Sequence, residues 1–130
     1  FKGKRVVVFS LPGAFTPTCS AKHLPGYVEQ AAAIKAKGVD TIACLSVNDA
    51  FVMAAWAEDQ NVGDAILMLA DGNSEFTASA DLGLDGSAFG LGYRSQRYSM
   101  IVVDGFVKHI NIEEPGQFQK SSAEALLEQL

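Results

Sequence analysis

The residues that could carry chemistry centre on one cysteine in the stretch PGAFTPTCSAKH, residues 12–23. Cys19 follows a β-branched run and stands where a helical pattern begins. Unpaired backbone N–H groups at a helix start favour an anion, and the thiolate is the nucleophilic form of cysteine. A free thiol titrates near pH ~8.5, so it is mostly protonated at neutral pH. The stretch therefore predicts a reactive thiol, provided that a cation lies near; without one, an inert cysteine in a turn is the alternative.

A cation is needed because a helix terminus supplies only about 0.3–2 kcal/mol of the roughly 3.4 kcal/mol that moves a thiol pKa from 8.5 to 6. The sequence has three arginines to choose from: Arg5, Arg94 and Arg97. If such a thiolate attacked a peroxide, negative charge would build on the departing oxygen, and a guanidinium, a hydroxyl and backbone N–H groups would stabilise it. Thr16 offers the hydroxyl, and Pro12 and Pro17 stiffen the loop and shield the thiol.

The elements that must position Cys19 alternate along the chain. Apolar runs at 5–10, 39–47 and 66–70 predict three buried strands. A helical pattern follows each, and Pro25 is expected to kink the first of these helices. The runs 98–103 and 106–112 flank an Asp-Gly turn and predict a β-hairpin. A last helix is expected to open at a capping box of Ser121 and Glu124, and the glycine-rich residues 84–93 predict a loop.

This order, β-α-β-α-β-α-β-β-α, predicts an α/β protein with a thioredoxin-like fold. We expect a central, mainly parallel sheet with an antiparallel hairpin at one side, flanked by helices. The length fits one domain over residues 1–130. The chain opens at Phe1, without methionine, in a strand-like run, so we expect an N-terminal segment to be missing. There is no C-x-x-C at Cys19 and no proline before the hairpin, which disfavours a thiol–disulfide exchange protein.

Composition excludes several other classes. The net charge of -5 argues against nucleic acid as a partner, and no apolar run approaches a membrane span. There is no signal peptide. The two cysteines, Cys19 and Cys44, form neither a metal motif nor a disulfide scaffold, which favours a reducing compartment. We expect a cytoplasmic protein, or an organellar one if a targeting segment has been removed.

Three motifs together resemble the peroxiredoxins. Pro12-x-x-x-Thr16-x-x-Cys19 is similar to the active-site pattern of that family, and PGAFTPTCS, with HLPG after it, resembles its type II, or peroxiredoxin-5-like, members. CLSVNDAFV and RSQRYSMIVVDG also resemble that subfamily, and the resemblance covers essentially the whole chain. It implies that Cys19 is the peroxidatic cysteine, with Thr16, Arg97 and Pro12 as catalytic neighbours. Thr16, Arg97 and, with less support, His23 would bind substrate.

The resemblance also implies a thiol peroxidase that acts on hydrogen peroxide and organic hydroperoxides through a sulfenic acid. It implies no metal, haem or flavin, and usually a homodimer. Some relatives carry a resolving cysteine near the C-terminus, whereas residues 116–130 contain none. We therefore expect an external thiol, glutathione with glutaredoxin or thioredoxin, to reduce the sulfenic acid.

Other interpretations stand beside these. Cys44 lies mid-strand in an apolar run and is expected to be structural, with a resolving role as the alternative. Arg94 is expected to face solvent or to support the site, and Thr18 to cap the first helix. The resemblance also implies candidate residues for a dimer face: Phe15, Pro17 and the glycine-rich loop. We expect Phe51 and Trp56 in the core or at an interface, and His109 to be structural. A redox sensor that uses the same thiol stoichiometrically is the alternative function.

Overall fold

The computed structural model describes all 130 residues, Phe1–Leu130. Its strands are β1 (Arg5–Ser10), β2 (Thr41–Ser46), β3 (Leu67–Ala70), β4 (Gly83–Asp85), β5 (Tyr93–Ser95), β6 (Tyr98–Val103) and β7 (Phe106–Ile112). Its α-helices are α1 (Leu24–Ala36), α2 (Ala50–Asp59), α3 (Glu75–Ser79) and α4 (Ala123–Leu127). A π-helical turn (Cys19–His23) precedes α1, and a 3₁₀ turn (Ser87–Phe89) separates β4 from β5. None of the helices has the length and apolar character needed to cross a membrane.

Five strands form the central sheet in the order β3-β2-β1-β6-β7, and β4 pairs with β5 in a separate two-stranded sheet. β2 pairs in parallel with β1 and β3, whereas β6 runs antiparallel to both β1 and β7. The thioredoxin-like α/β fold is confirmed. The sheet is better described as mixed than as mainly parallel, because the first strand of the predicted hairpin joins the sheet beside β1.

β1 lies in the middle of this sheet and is apolar on both faces, as its unbroken VVVF run predicts. Val7 and Phe9 belong to the larger core under the helices, while the alternate residues of the strand belong to a smaller cluster on the opposite face. The loop that carries Cys19 therefore starts from a rigid, buried strand end.

The first helix departs from α geometry near the thiol. Helical backbone begins at Pro17, and the turn Cys19–His23 is π-helical, with the N–H of Leu24 donating to the carbonyl of Cys19. Pro25 lacks an N–H, and its ring would crowd the carbonyl four residues earlier, so a widened turn ahead of it relieves that conflict. The kink predicted at Pro25 thus takes the form of a π-turn that begins at Cys19, and such turns are frequent at functional sites.

Two predictions in the second half of the chain are wrong. Ser122 rather than Ser121 caps α4, and its side chain accepts a hydrogen bond from the N–H of Ala125. Residues 84–93 are not one continuous loop, because Leu84 pairs with Arg94 in the small β4–β5 sheet.

Phe51 and Trp56 were both expected in the core or at an interface, and the structure separates them. Trp56 is buried, as is Met53, whereas Phe51 is 87% exposed and therefore does not belong to the core. The side chain of Asp49 caps α2 by accepting from the N–H of Val52.

Candidate active site

Cys19 lies just beyond the carboxyl end of β1, in the first turns of the long helix. The loop before it reverses direction at Phe15, which has a left-handed φ of 64°. The N–H of Ser20 donates to the carbonyl of Thr16 at 2.9 Å, which closes the first helical turn. Cys19 is 0% exposed and belongs to the main core. The thiol is therefore enclosed, whereas the sequence suggested only partial shielding.

Arg97 reaches this thiol from the neighbouring strand. The β1–β6 register pairs Ser10 with Tyr98, so the residue before Tyr98 lies at the same sheet edge as the loop after β1. The Arg97 Nη2 donates to Cys19 Sγ at 3.2 Å. Residues 78 positions apart in the sequence are thus brought into contact. A permanently charged donor therefore contacts the sulphur directly.

His23 contacts the same guanidinium from the far end of the π-turn. Its Nδ1 lies 2.9 Å from Arg97 Nη1, and its Nε2 lies 3.1 Å from the carbonyl oxygen of Ser121. Burial, and next the positive charge of Arg97, lower the pKa of His23 from 6.5 to about 3. The imidazole is therefore neutral at physiological pH.

The segment after β7 supports His23. The Ser121 carbonyl also accepts from the Tyr27 hydroxyl at 2.8 Å. One carboxylate oxygen of buried Glu113, Oε2, accepts from the backbone N–H groups of Gln119, Lys120 and Ser121 and from the Ser121 hydroxyl. Burial acts to raise the pKa of Glu113, but these hydrogen bonds outweigh it and leave the pKa below its ordinary value. The Phe118 ring packs edge-on to His23, with its centroid 5.8 Å from the Arg97 guanidinium carbon.

Local hydrogen bonds hold the loop before Cys19 in place. The Thr16 hydroxyl donates to the carbonyl of Gly13 at 2.7 Å, which pins the reverse turn. Pro12 is half-buried at the start of this loop. The Thr18 side chain makes no capping hydrogen bond, so its prediction as a helix cap is wrong. The first helical turn is closed instead by the backbone hydrogen bond from the N–H of Ser20 to the carbonyl of Thr16.

Known proteins are similar to this chain in sequence and in structure. The Redoxin family profile matches residues 1–127. Peroxiredoxin-2B of Arabidopsis thaliana is 47% identical over 128 residues, which are 98% of this chain and 79% of the relative. The chain belongs to the peroxiredoxins. Chloroplastic peroxiredoxin-2E of the same plant is 52% identical over 130 residues, 98% of this chain and 56% of the relative.

A solved peroxiredoxin agrees in structure as well. Reduced Prx3 from Vibrio vulnificus, crystallised in complex with hydrogen peroxide, is 56% identical and superposes with a TM-score of 0.96 over 100% of this chain and 84% of that one. The resemblance to peroxiredoxins found in the sequence is confirmed. The chain spans about half the length of the chloroplastic relatives, 56% and 58%.

Arg94 supports the loop that precedes Cys19 and does not face solvent. Its guanidinium donates to the carbonyls of Leu91 and Val47. A Cβ added at Gly13 would lie 2.8 Å from Arg94 Nη1, so a larger residue at this position would displace the guanidinium from the loop. Asn48 holds the same loop through the N–H of Ala14. Arg94 thus supports the site indirectly, which was one of its two predicted roles.

Cys44 is the second thiol of this peroxiredoxin. It is 0% exposed in the middle of β2, paired in register with Phe9 and Met68. Burial, and next the charge of Cys19, raise the pKa of Cys44 well above its ordinary value. Both cysteines are unpaired. A thiol in this environment is inert, which supports the structural interpretation.

The sequence did not reveal the residues that support the site without contacting Cys19 themselves. Ser121 contributes a backbone carbonyl, so no residue-type pattern could reveal it. Glu113 appears in the sequence as one of two adjacent glutamates, and only its burial shows that it organises residues 119–121. Trp56 donates to the Ser20 hydroxyl at 3.0 Å and ties α2 to the π-turn. No group of three or more His, Cys, Asp or Glu side chains is arranged to hold a metal ion.

Proposed function

We propose that this peroxiredoxin is a thiol peroxidase in which Cys19 reduces hydrogen peroxide and organic hydroperoxides. The observation that carries the proposal is the 3.2 Å contact between Arg97 Nη2 and Cys19 Sγ at the start of a helix. A charge-assisted donor and helix N–H groups together favour a thiolate, the form that attacks peroxides. The Vibrio vulnificus relative, solved with hydrogen peroxide, supports the same substrate class.

In the oxidative step the thiolate sulphur attacks one peroxide oxygen, an S–O bond forms and the O–O bond breaks. The departing hydroxide or alkoxide takes up a proton and leaves as water or alcohol. The sulphur of Cys19 loses two electrons and becomes a sulfenic acid, and the peroxide gains those two electrons. No prosthetic group is required, because sulphur itself supplies the electrons.

The site residues divide this work. Arg97 carries five N–H donors and no acceptor, so it can donate to the sulphur and to the oxygen on which charge develops. The Thr16 hydroxyl gives its proton to Gly13 and keeps its oxygen lone pairs for the O–H of a peroxide. Pro12 covers the start of the loop and excludes water. These roles for Cys19, Thr16, Arg97 and Pro12 are part of the proposal.

In the reductive step an external thiol attacks the sulfenic sulphur, and water leaves as a mixed disulfide forms. A second thiol then releases reduced Cys19 and a small disulfide. We assign this role to external thiols, such as glutathione with glutaredoxin or thioredoxin, because Cys44, the other cysteine of residues 1–130, is buried in β2. Because Cys19 is 0% exposed, the Cys19–His23 turn must open before a bulky thiol reaches the sulphur.

We further propose that the protein works as a homodimer in a reducing compartment such as the cytoplasm. Phe15 beside the active-site loop is 53% exposed, and Phe51 and Phe89 are more than four-fifths exposed at 87% and 85%. Apolar side chains this exposed fit a protein interface. Light scattering of the purified protein tests the assembly, and a monomer at micromolar concentration would contradict it.

The test of the peroxidase function is hydrogen peroxide consumption with excess dithiothreitol. Wild type should turn over many times, and Cys19→Ser not at all. Cys44→Ala is the matched control, since it removes the other thiol, and it should retain turnover. Arg97→Met should slow the peroxide reaction by about 10²–10³-fold, the effect of removing one charge-stabilising donor.

Two results would count against the proposal. Continued turnover by Cys19→Ser would remove Cys19 from the mechanism. Oxidation of wild type by one equivalent of peroxide, with no turnover on added thiol, would identify a stoichiometric redox sensor instead.

A further inference from the structure

We propose that His23 is a positioning residue that aims the Arg97 guanidinium at Cys19, as one member of a closed ring of hydrogen bonds. The inference rests on the proposed function, because it assigns how the charge of Arg97 is directed. It replaces substrate binding as the role of His23. Both ring nitrogens are already engaged, by Arg97 and Ser121, and the side chain is 0% exposed.

Backbone groups and side chains both take part in this closed ring of hydrogen bonds. The N–H of Glu113 donates to the carbonyl of Arg97 at 2.9 Å, which fixes the Arg97 backbone. The carboxylate of Glu113 accepts from Ser121, the Ser121 carbonyl accepts from His23, and His23 accepts from the Arg97 side chain. Both ends of Arg97 are thus tied to the same segment, so its guanidinium has little freedom to turn away from Cys19.

The chemistry of the donors fixes the tautomer of His23. A guanidinium has only donors, so Nδ1 must be unprotonated and accept. The proton therefore stands on Nε2 and is donated to the Ser121 carbonyl, which has no proton of its own to give. The lowered pKa of His23 is consistent with this neutral form.

A neutral acceptor suits this task better than a carboxylate. A carboxylate would orient the guanidinium equally well but would offset its charge, leaving less for the sulphur. The imidazole orients Arg97 without cancelling that charge. The two polar contacts of the Arg97 side chain, His23 and Cys19, are made by different nitrogens, Nη1 and Nη2. One nitrogen of the guanidinium is therefore held in position by His23, while the other nitrogen stabilises the charge on Cys19.

The test compares two variants at this position. His23→Phe keeps a ring among the neighbouring aromatic side chains but removes the acceptor, whereas His23→Asn can place Oδ1 near the former Nδ1. His23→Phe should slow the peroxide reaction by about 10–100-fold, the range expected when a catalytic group loses its orientation. It should also lower the fraction of thiolate at pH 7, read from absorbance at 240 nm. His23→Asn should recover most of both.

Tyr27→Phe is the matched control, because it removes the other hydrogen bond to the same Ser121 carbonyl. It should react like wild type. A rate loss in Tyr27→Phe equal to that of His23→Phe would show general loosening of residues 113–121 and overturn the inference. So would a folded His23→Phe with wild-type rate and thiolate fraction, or a His23→Asn that shows no recovery.

A measurement on wild type guards against a His23→Phe variant that does not fold. Imidazole ¹⁵N spectra should show His23 with its proton on Nε2 at pH 6. A protonated Nδ1 would overturn the inference. The thiolate readout needs no peroxide, so it separates this inference from the proposed function. If wild type failed to reduce peroxide, the comparison of thiolate fractions would still decide the role of His23.

Discussion

The neutral, buried His23 makes the stability of the fold depend on pH. Burial and the charge of Arg97 lower the pKa of His23 from 6.5 to about 3 in the folded protein. In the unfolded chain the imidazole returns to its ordinary value. Between these two values the unfolded state binds more protons than the folded state, so the free energy of unfolding rises with pH. This contribution is present above pH 6.5 and is lost as the pH falls towards 3.

The expected magnitude follows from the same two values. Between pH 7 and pH 5 the unfolded chain takes up most of one proton at residue 23, while the folded protein takes up almost none. The linkage relation then gives a loss of about 2 kcal/mol in the free energy of unfolding, or about 25-fold in the unfolding equilibrium constant. The lowered pKa of Glu113 acts in the same direction but below its ordinary value of 4.5, outside this window.

Urea denaturation at pH 7 and pH 5, followed by circular dichroism, measures this loss directly. Wild type should lose about 2 kcal/mol, and His23→Asn, which cannot titrate there, should lose much less. His109→Asn is the matched control, because His109 is exposed on β7. It should behave like wild type. An equal pH dependence in wild type and His23→Asn would refute the claim that His23 is held neutral by its surroundings.

Four further predictions concern Glu113, Cys44 and the contact between Trp56 and Ser20. In urea titrations, Glu113→Ala should lower the free energy of unfolding by about 3 kcal/mol, and Glu113→Gln by about 1 kcal/mol. The glutamine variant should lose less because its side-chain oxygen can still accept from the four donors, while its amide nitrogen takes the place of Oε1, which has no partner. An equal loss in both would mean that the charge, not the acceptor, matters. Iodoacetamide should modify Cys44 at least about 100-fold more slowly in the native protein than in denaturant, because burial raises the pKa of Cys44. The increase in intact mass measures this labelling. Rapid labelling of Cys44 in the native protein would contradict its structural role. Ser20→Ala should lower the free energy of unfolding by about 1 kcal/mol, in urea titrations, because the Trp56 N–H loses its acceptor. The fluorescence of Trp56, the only tryptophan, should change on adding hydrogen peroxide to wild type but not to Cys19→Ser; an unchanged signal would mean that the π-turn stays closed.

Much of the fold could be predicted because its strongest patterns are local. β1 and the hairpin β6–β7 match the predicted bounds, since β-branched runs and an Asp-Gly turn define them. The small β4–β5 sheet was missed because three-residue strands in a glycine-rich segment leave no period to detect. The sequence left the choice between core and interface open for Phe51 for another reason. Several faces of α2 are apolar, so only the tertiary packing of Met53 and Trp56 decides which one is buried.

The site was predictable only where side-chain type carries the information. The spacing of Pro12, Thr16 and Cys19 and the position of Arg97 before β6 are visible in the sequence. The hydroxyl of Thr16 could be anticipated, but not that its proton goes to the Gly13 carbonyl. The Ser121 carbonyl could not be found at all, because backbone acceptors look alike at every residue. What selects this one is the Glu113 carboxylate, and its burial is a property of the fold.

In the proposed peroxidase cycle, the charges of the site favour opening of the enclosed turn after Cys19 is oxidised. In the proposed reduced state the half-buried guanidinium of Arg97 would face a thiolate, and His23, being neutral, adds no charge. Oxidation to a sulfenic acid removes the negative partner and leaves the guanidinium uncompensated. The closed arrangement is then less favourable than before, and opening would have to break the hydrogen bonds of the π-turn, such as that from Trp56 to Ser20. The loss of one charge on Cys19 therefore favours opening at the moment when the sulphur must be reached, and the fluorescence of Trp56 is the signal that would follow it.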